Sequence, residues 1–198
     1  MNRHVSALFL VATVLLGQYS EATIFPVPAD TTVVTPVTFW GFAYGDTFEI
    51  DAGPRGQILF RNFRGEGHPT TVVRNSSSGI VRIDAMNNEY GIKLQNCQNV
   101  RLTGSAYPGA EYGLVVYSSG NEAGVHCKGV WAEQGVSSIT VDHVEVDGVN
   151  EIDVGIAVKT EPNAAAGHVR NLFTQENTEI YNNYVHDVLL EGFYMALP

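Results

Sequence analysis

A short phrase, in which a glycine is followed by two apolar residues separated by one position, recurs along this chain. It stands at residues 90–94, 112–116, 154–158 and 191–195. The alternation of apolar positions is typical of a strand that buries one face. The shortest interval, from Gly91 to Gly113, predicts one turn of a coil, and the longer intervals predict a turn with an added loop. The phrase therefore predicts stacked strands at a repeating period.

A second kind of segment, a short alternating strand, lies between these phrases, and its last two copies turn at a polar pair before a second short strand. It occurs at residues 99–104, 138–146 and 178–187. An Asn or His at such a corner tolerates a left-handed backbone and can hydrogen-bond the same position in the next coil. With no helical periodicity anywhere, we predict an all-β solenoid. An antiparallel β-sandwich is the alternative, but it does not predict glycine phrases at coil spacing.

The two ends of the sequence suggest its domain limits. A basic start, the apolar run 7–16 and the small residues 20–22 predict a signal peptide over 1–22 and a secreted protein. The run is too short for a stable membrane anchor, so we expect no integral membrane protein. Residues 23–44 are expected to run extended and cover the first coil, which we place near Thr47, and residues 45–198 form the coil domain.

The charge balance limits the partners that the protein can bind. A net charge of −10 repels nucleic acid and anionic membranes, so we expect neither as a partner. It also repels an anionic polysaccharide unless Ca²⁺ or a local group of Lys and Arg intervenes. Two cysteines, Cys97 and Cys127, leave two alternatives open, either a disulfide or two small apolar side chains stacked in successive coils.

These residues together resemble the right-handed parallel β-helix superfamily of the pectate-lyase-like kind. The resemblance is carried by the Gly-Ile-x-Val strands and polar corners, and by residues 45–47, 62–65, 158–162 and 185–187. It implies a single-stranded right-handed parallel β-helix that is a monomer when complete. The superfamily hosts lyases, hydrolases, epimerases and adhesins, so it implies the fold more than the chemistry.

Members that act on polysaccharide bind it along the outer face of the stacked strands, and this resemblance implies a similar surface here. Strand alternation predicts one outward column of Lys93, Val115, Ala157 and Tyr194, and a second of Gln95, Tyr117, Lys159 and Ala196. From these columns we predict Lys93, Gln95, Tyr117 and Tyr194 as contacts to a polysaccharide or surface glycan. Any solvated strand face could show the same side chains, which is the plainer interpretation.

The candidate chemistry is β-elimination on a uronate-containing polymer, the reaction of a polysaccharide lyase. Such cleavage requires the carboxylate to be neutralised and a base to remove the neighbouring proton. We predict Asp142, Asp147 and Asp153 as ligands of Ca²⁺, the only candidate cofactor. Lys159 and His186 are the candidate catalytic residues. The Arg-x-Pro-x-x-Arg phrase of pectate lyases is missing, and a non-catalytic glycan-binding or adhesive surface protein is the alternative.

The last residues, 191–198, repeat the opening strand of a coil and then stop. A finished solenoid covers its last coil, because uncovered apolar side chains and unpaired backbone groups are costly. We therefore expect the sequence to be a fragment whose C-terminal edge is prone to aggregate.

Overall fold

The structure is a computed structural model that describes residues 22–149, 151–169 and 172–196. The predicted signal peptide, 1–22, lies outside these residues except for Ala22. Seventeen strands make up the regular structure, and the helix that occurs in the described ranges is a single 3₁₀ turn at Ala164–Ala166. No helix in this part of the chain is long and apolar enough to cross a membrane.

The strands form three sheets, A, B and C. Sheet A contains β1 (Ile24–Val27), β3 (Thr47–Ile50), β6 (Thr71–Asn75), β9 (Gln98–Thr103), β12 (Ser137–Asp142) and β15 (Glu179–Tyr181). Sheet B contains β2 (Val33–Val34), β5 (Ile58–Arg61), β8 (Tyr90–Gln95), β11 (Lys128–Glu133), β14 (Val154–Lys159) and β17 (Glu191–Ala196). Sheet C contains β4 (Gly53–Gly56), β7 (Val81–Asp84), β10 (Leu114–Tyr117), β13 (Val144–Asp147) and β16 (Tyr184–His186).

From β3 onward the chain visits the sheets in the order A, C, B and then returns to A. Each return places a new strand beside the one before, and every pairing between strands is parallel. This is the strand order of a parallel β-solenoid. The prediction of an all-β chain with parallel stacked strands is therefore confirmed.

The core consists of apolar ladders that run along the inside of the coil. In sheet A, Phe48 pairs with Val73, which pairs with Leu102, and Val141 follows in the next coil. All four side chains are fully buried. Burying one such side chain contributes about 1.5–3 kcal/mol, and a single coil cannot provide that burial by itself. Stability therefore depends on stacking one coil upon the next.

The glycines of the repeated phrase stack in sheet B, but in a different register from the predicted one. Tyr90 pairs with Lys128, and Lys128 pairs with Val154, so Gly91 lies beside Gly129 and Gly129 beside Gly155. The phrase at 112–116 enters sheet C instead, where Leu114 pairs with Val81. The prediction that Gly91 to Gly113 spans one turn is wrong, because a full turn must pass through all three sheets.

Close packing explains why glycine occupies these positions. A Cβ atom at Gly91 would lie 2.3 Å from Cγ1 of Val116, and one at Gly129 would lie 2.5 Å from Cγ1 of Val146. Gly155 faces Val185 in the same way, at 2.3 Å. In each case the valine belongs to the sheet C strand of the next coil. Any larger residue would force the two coils apart.

The predicted polar corners, between sheets A and C, have the left-handed backbone, and a second row of such corners, which was not predicted, follows sheet B. Asn62, Asn96 and Gln134 have φ angles of 65°, 52° and 57° and follow successive strands of sheet B. The side-chain Nδ2 of Asn96 donates to Oδ1 of Asn62 at 2.8 Å. At the corner between sheets A and C, His143 and Asn182 are also left-handed, with φ angles of 54° and 51°. Local hydrogen bonding at these corners allows short strands to turn without a long loop.

The N-terminal segment does more than cover the first coil. Its strands β1 and β2 already pair with β3 and β5, so the coil begins before the predicted start near Thr47. The rings of Phe39 and Phe42 lie 5.1 and 5.4 Å from the ring of Phe48 and cover it.

At the other end of the coil, Phe193 and Met195 on β17 are 51% and 52% exposed.

The two cysteines are buried and unpaired. Burial raises the pKa of Cys97 and of Cys127 to about 12. The thiols therefore act as small apolar side chains, as in the second alternative. They do not stack on each other, because Cys97 accepts a backbone hydrogen bond from Ser137 and Cys127 accepts one from Asp153, at different corners of the coil.

The glycine ladder gives a direct test of the packing. We expect Gly129→Ala to lower the free energy of unfolding by about 2–3 kcal/mol, because its methyl group must displace Val146 and the next coil. The matched control is Gly192→Ala, where the nearest atom would be Cγ1 of Val185 at 3.8 Å, an ordinary contact. That variant should change stability by less than about 0.5 kcal/mol. Urea unfolding followed by circular dichroism measures both, and equal losses would contradict the packing explanation.

Candidate functional site

The outer face of sheet B presents one column of side chains that we name the Trp131 column. It contains Lys93, Trp131, Ala157 and Tyr194, which are register partners on β8, β11, β14 and β17. Lys93, Ala157 and Tyr194 were predicted in this column. The prediction of Val115 is wrong, because Val115 lies on β10 in sheet C, between Arg82 and Glu145.

Trp131 was missed because its strand lies beyond a long loop from the preceding phrase. The signal that could have found it is present, since Gly129, Val130, Trp131 and Ala132 repeat the pattern of glycine followed by alternating apolar positions. Val130 and Ala132 are fully buried, and Trp131 between them points outward and is half-buried. The loop before β11 changes the spacing between successive phrases, but the phrase itself can still be recognised in the sequence.

A buried ion pair fixes one end of the column. The Nζ atom of Lys93 lies 2.6 Å from Oε1 of Glu133, and both side chains are at most 10% exposed. Gln95 donates from Nε2 to the same Oε1 at 3.1 Å. The Lys93 ammonium also lies 3.7 Å from the ring centre of Trp131, a favourable cation–π contact. These contacts hold the indole in place, and they occupy Lys93 and Gln95, two of the predicted glycan contacts.

Between Trp131 and Tyr194 the column holds only the methyl group of Ala157, which is 3% exposed and forms the narrow floor of a trough. Adjacent strands lie about 4.8 Å apart, so the two aromatic side chains stand about 10 Å apart across this floor. The trough belongs to a cleft of about 330 Å³ whose rim includes Lys128, Lys159 and Glu161. This volume is at the lower end of the range of small-molecule sites.

Lys159, one of the two predicted catalytic residues, stands at the rim of this cleft. Its ammonium forms an ion pair with Glu161 and lies 4.9 Å from the ring centre of Tyr194. The hydrogen bond with Glu161 raises the pKa of Lys159, and burial opposes that effect only in part. Lys159 is therefore a stable cation, which suits charge neutralisation and not proton abstraction.

The other predicted catalytic residue, His186, lies on sheet C. Its Nδ1 is 3.0 Å from Oδ2 of Asp187 and 3.8 Å from Oδ1 of Asp147, and its Nε2 is 3.3 Å from Oε1 of Glu145. The hydrogen bond with Asp187 is the largest cause of the raised pKa of His186. The hydrogen bond with Glu145 and the charges of Asp147 and Asp187 also raise it, and burial opposes them. Since Lys159 and His186 lie on different sheets, the structure does not bring them together.

The three predicted Ca²⁺ ligands lie in different surroundings. Asp142 is fully buried and accepts hydrogen bonds from Arg101 at 2.7 and 3.1 Å. Asp153 contacts Nδ1 of His126 at 3.1 Å. Asp147 alone belongs to a group with metal-ligand spacing, formed with His186 and Asp187, whose ligand atoms lie within 4.8 Å of one another.

These residues do not fit Ca²⁺. A calcium ion takes six to eight oxygen ligands, whereas the Asp147 group is centred on an imidazole. Imidazole is instead a ligand of transition metals, and it must give up its proton to bind one. The carboxylates around His186 favour the protonated ring and oppose that step.

Asp142 is the centre of a structural network. Besides Arg101, it accepts a hydrogen bond from Oγ1 of Thr103 at 2.5 Å and contacts Nδ1 of His143 at 2.6 Å. Burial alone would raise the pKa of Asp142, but the hydrogen bonds from Arg101, Thr103 and His143 outweigh burial and lower it. The network joins β9 to the corner after β12. Its position makes Asp142 a fixed anion of the fold.

Tyr117, the last predicted glycan contact, lies on sheet C, beside Asp147 of the next strand. The guanidinium of Arg82 lies 5.3 Å from the centre of its ring. Tyr117 therefore does not share a surface with Lys93, Gln95 and Tyr194. Of the predicted contacts, Tyr194 is the one that lines the trough.

No protein-family model matches this chain, and comparisons with curated proteins and with solved structures found no match either.

The Asp142 network predicts a loss of stability in acid. Because the folded-state pKa of Asp142 is lowered, its contribution is present above the unfolded-state pKa and is lost as the pH falls through the folded value. We expect Asp142→Asn to cost about 3 kcal/mol at neutral pH and to flatten the acid branch of stability against pH.

The matched control for this change is Glu49→Gln. Glu49 also pairs with an arginine of sheet A, Arg74, at 2.6 Å, but both side chains are partly exposed. That variant should cost less than about 1 kcal/mol. Chemical unfolding between pH 3 and pH 8 measures both variants. Equal costs would show that the Asp142 network has no special role.

His186 predicts the opposite dependence on pH. Its raised pKa means that its contribution to stability is complete below the unfolded-state pKa and is lost as the pH rises through the folded value. His186→Gln should therefore cost most at mildly acidic pH and least above the raised pKa. Asp187→Asn removes the largest cause of the shift and should weaken the dependence. Thermal melts across this range would contradict the account if the cost of His186→Gln did not change with pH.

Proposed function

We propose that this chain is a secreted glycan-binding protein whose ligand lies in the trough between Trp131 and Tyr194. The observation that carries the proposal is the trough itself, with two outward aromatic side chains and the methyl group of Ala157 as a floor between them. We further propose that the coil is right-handed and single-stranded, as in the pectate-lyase-like superfamily that the sequence resembles.

The chemistry of the trough suits a sugar ring. One face of a pyranose carries mainly C–H groups, which pack on an aromatic side chain, while its edge carries hydroxyl groups. The rim supplies partners for those hydroxyls, because Lys128 and Lys159 donate and Glu161 accepts. An apolar floor with a few polar groups at the edge is the usual composition of a small-molecule site.

The position on a stacked sheet suits a polymer. The strands of sheet B repeat along the coil, so the surface continues beyond the trough toward Lys93 and Tyr90 on β8. The Lys93 ammonium lies 5.1 Å from the ring centre of Tyr90, and the Lys128 ammonium lies 4.3 Å from that of Trp131. A chain of sugar residues could contact Lys128, Trp131 and Tyr90 in succession, which favours a polysaccharide or surface glycan over a single sugar.

Binding is favoured over the lyase activity that the sequence suggested. A lyase requires a base beside the bound uronate, and Lys159 is held as a cation by Glu161. His186 lies on another sheet, and the residues considered for Ca²⁺ do not fit that ion. β-Elimination is therefore only the second candidate. In it Lys159 would neutralise the carboxylate, and the carboxylate of Glu161, at the rim of the same cleft, would accept the neighbouring proton as the bond to the leaving sugar breaks.

Affinity electrophoresis in gels containing pectate, alginate, glycosaminoglycans or neutral polysaccharides tests the proposal. We expect at least one polymer to retard the protein, and we expect Trp131→Ala and Ala157→Leu each to weaken that binding by about tenfold or more. The leucine fills the trough without removing an aromatic ring. The matched control is Trp40→Ala, because Trp40 is 99% exposed and lies outside sheet B.

Two results would contradict this proposal. One is unchanged binding by both trough variants, and the other is an equal loss in Trp40→Ala. The same polymers, incubated with the protein, test the second candidate by ultraviolet absorbance of unsaturated uronate ends. Unsaturated ends that form with the unaltered protein, but not with Lys159→Ala, would establish lyase activity.

A further inference from the structure

A second cleft, which we name the arginine cleft, opens at the corner between sheets B and A. Its volume is about 470 Å³, and its walls include Arg61, Arg64, Asn62, Asn96, Gln134 and His168. None of these residues belongs to the trough between Trp131 and Tyr194. The cleft was not among the sites expected from the sequence, because Arg64, Asn96 and His168 come from three separate parts of the chain.

The charge of this cleft contrasts with that of the protein as a whole. The chain has a net charge of −10 with 21 acidic residues, yet no carboxylate lines the cleft within the described ranges. Arg61 and Arg64 form no ion pair or side-chain hydrogen bond with any described residue, whereas Arg74 and Arg101 are both paired with carboxylates. Two guanidinium groups, each with five N–H donors, therefore reach one polar cleft that no carboxylate of the described residues lines.

The backbone around both arginines is fixed by the coil. Arg61 ends β5 and pairs with Gln95 of β8, and Arg64 forms a parallel bridge with Gln98. Between them, Asn62 adopts its left-handed conformation and accepts the hydrogen bond from Asn96. Because this corner is held by the next coil, the backbone positions from which the two side chains reach the cleft are fixed before any ligand binds. Such preorganisation lowers the cost of binding.

The wall of the cleft that contains His168 is closely packed. His168 is 8% exposed, and its ring lies 5.0 Å from the ring of Phe173. A Cβ atom at Gly135 would lie 2.5 Å from Nε2 of His168, so glycine at that corner lets the imidazole approach. The 3₁₀ turn at Ala164–Ala166, whose N-cap is Asn163, completes the wall.

We propose that the arginine cleft binds an oxyanion, a sulfate, phosphate or carboxylate group, between Arg61 and Arg64. A guanidinium group matches two oxygens of such an anion with two parallel hydrogen bonds, and it is more weakly hydrated than an ammonium group. The amide groups of Asn62 and Gln134 offer further donors at the walls. The anion could be a free ion or a charged group on a saccharide. The proposal is independent of the glycan site on the Trp131 column.

Isothermal titration of the full chain with sodium sulfate and with sodium phosphate, against sodium chloride at equal ionic strength, tests the site. We expect saturable binding of sulfate or phosphate that chloride does not reproduce. Arg61→Gln and Arg64→Gln should each weaken it by about tenfold, because one charged pair of hydrogen bonds is lost. Arg61→Lys should recover only part of the affinity, because a lysine cannot form the paired contact.

The matched control is Arg82→Gln, which removes the same charge from an exposed strand position on sheet C. It should bind sulfate like the unaltered protein. Equal weakening in Arg82→Gln would show a general charge effect and overturn the site, as would unchanged binding in both cleft variants. Circular dichroism melts of each variant confirm that a loss of binding is not a loss of folding.

Two further titrations separate the possible sources of the anion. Galacturonic acid and glucosamine 6-sulfate are compared with neutral galactose and with the free ions. Tighter binding of a charged sugar than of the free ion assigns the cleft to a saccharide group, and equal binding assigns it to the ion itself. Trp131→Ala should leave sulfate binding unchanged, so that a failure of the trough proposal remains distinct from a failure of this one.

Discussion

The close contact between three glycines of sheet B and the valines of sheet C fixes how the central coils stack. Where Gly129 meets Val146, there is no room for even a methyl group, so the two strands can approach only with glycine at that point. The same contact recurs at Gly91 and at Gly155 in neighbouring coils. A shift of one residue in the register would replace a glycine by a larger side chain and would also turn the buried face of the strand outward.

This register decides which side chains share the outer face of sheet B. Because Gly91, Gly129 and Gly155 align, the residues two positions further along each strand align as well, which brings Trp131 beside Lys93 and beside Ala157. The trough is therefore a consequence of the packing inside the coil. No separate loop is needed to build it, and the rigidity of the stacked strands passes directly to the site.

The features that the sequence revealed are those controlled by local chemistry. Left-handed corners at His143 and Asn182 were predictable, because few other residues tolerate that backbone and hydrogen-bond across it. Alternation within a strand was also predictable, so Lys93, Ala157 and Tyr194 were correctly placed in one column. The choice of register was not, since long loops separate the strands and the phrase at 112–116 has the same pattern as a strand of sheet B.

The interactions that the sequence concealed are those between distant residues. Asp142 looked like a metal ligand because it stands in an acidic stretch, but its partner Arg101 comes from the preceding coil. Arg61 and Arg64 gave no signal, because a pair of arginines is informative only when the surrounding carboxylates are known to be engaged elsewhere. That no described carboxylate lies beside these two guanidinium groups becomes visible only in three dimensions.

The central claim is that a glycan binds against the indole of Trp131, and the fluorescence of that indole tests it most directly. The chain has two tryptophans, so Trp40→Phe leaves Trp131 as the single emitter. On titration with the polysaccharide that retards the protein, the account predicts a saturable change in emission whose midpoint equals that of binding measured by calorimetry. Emission that stays constant while the glycan binds would contradict it.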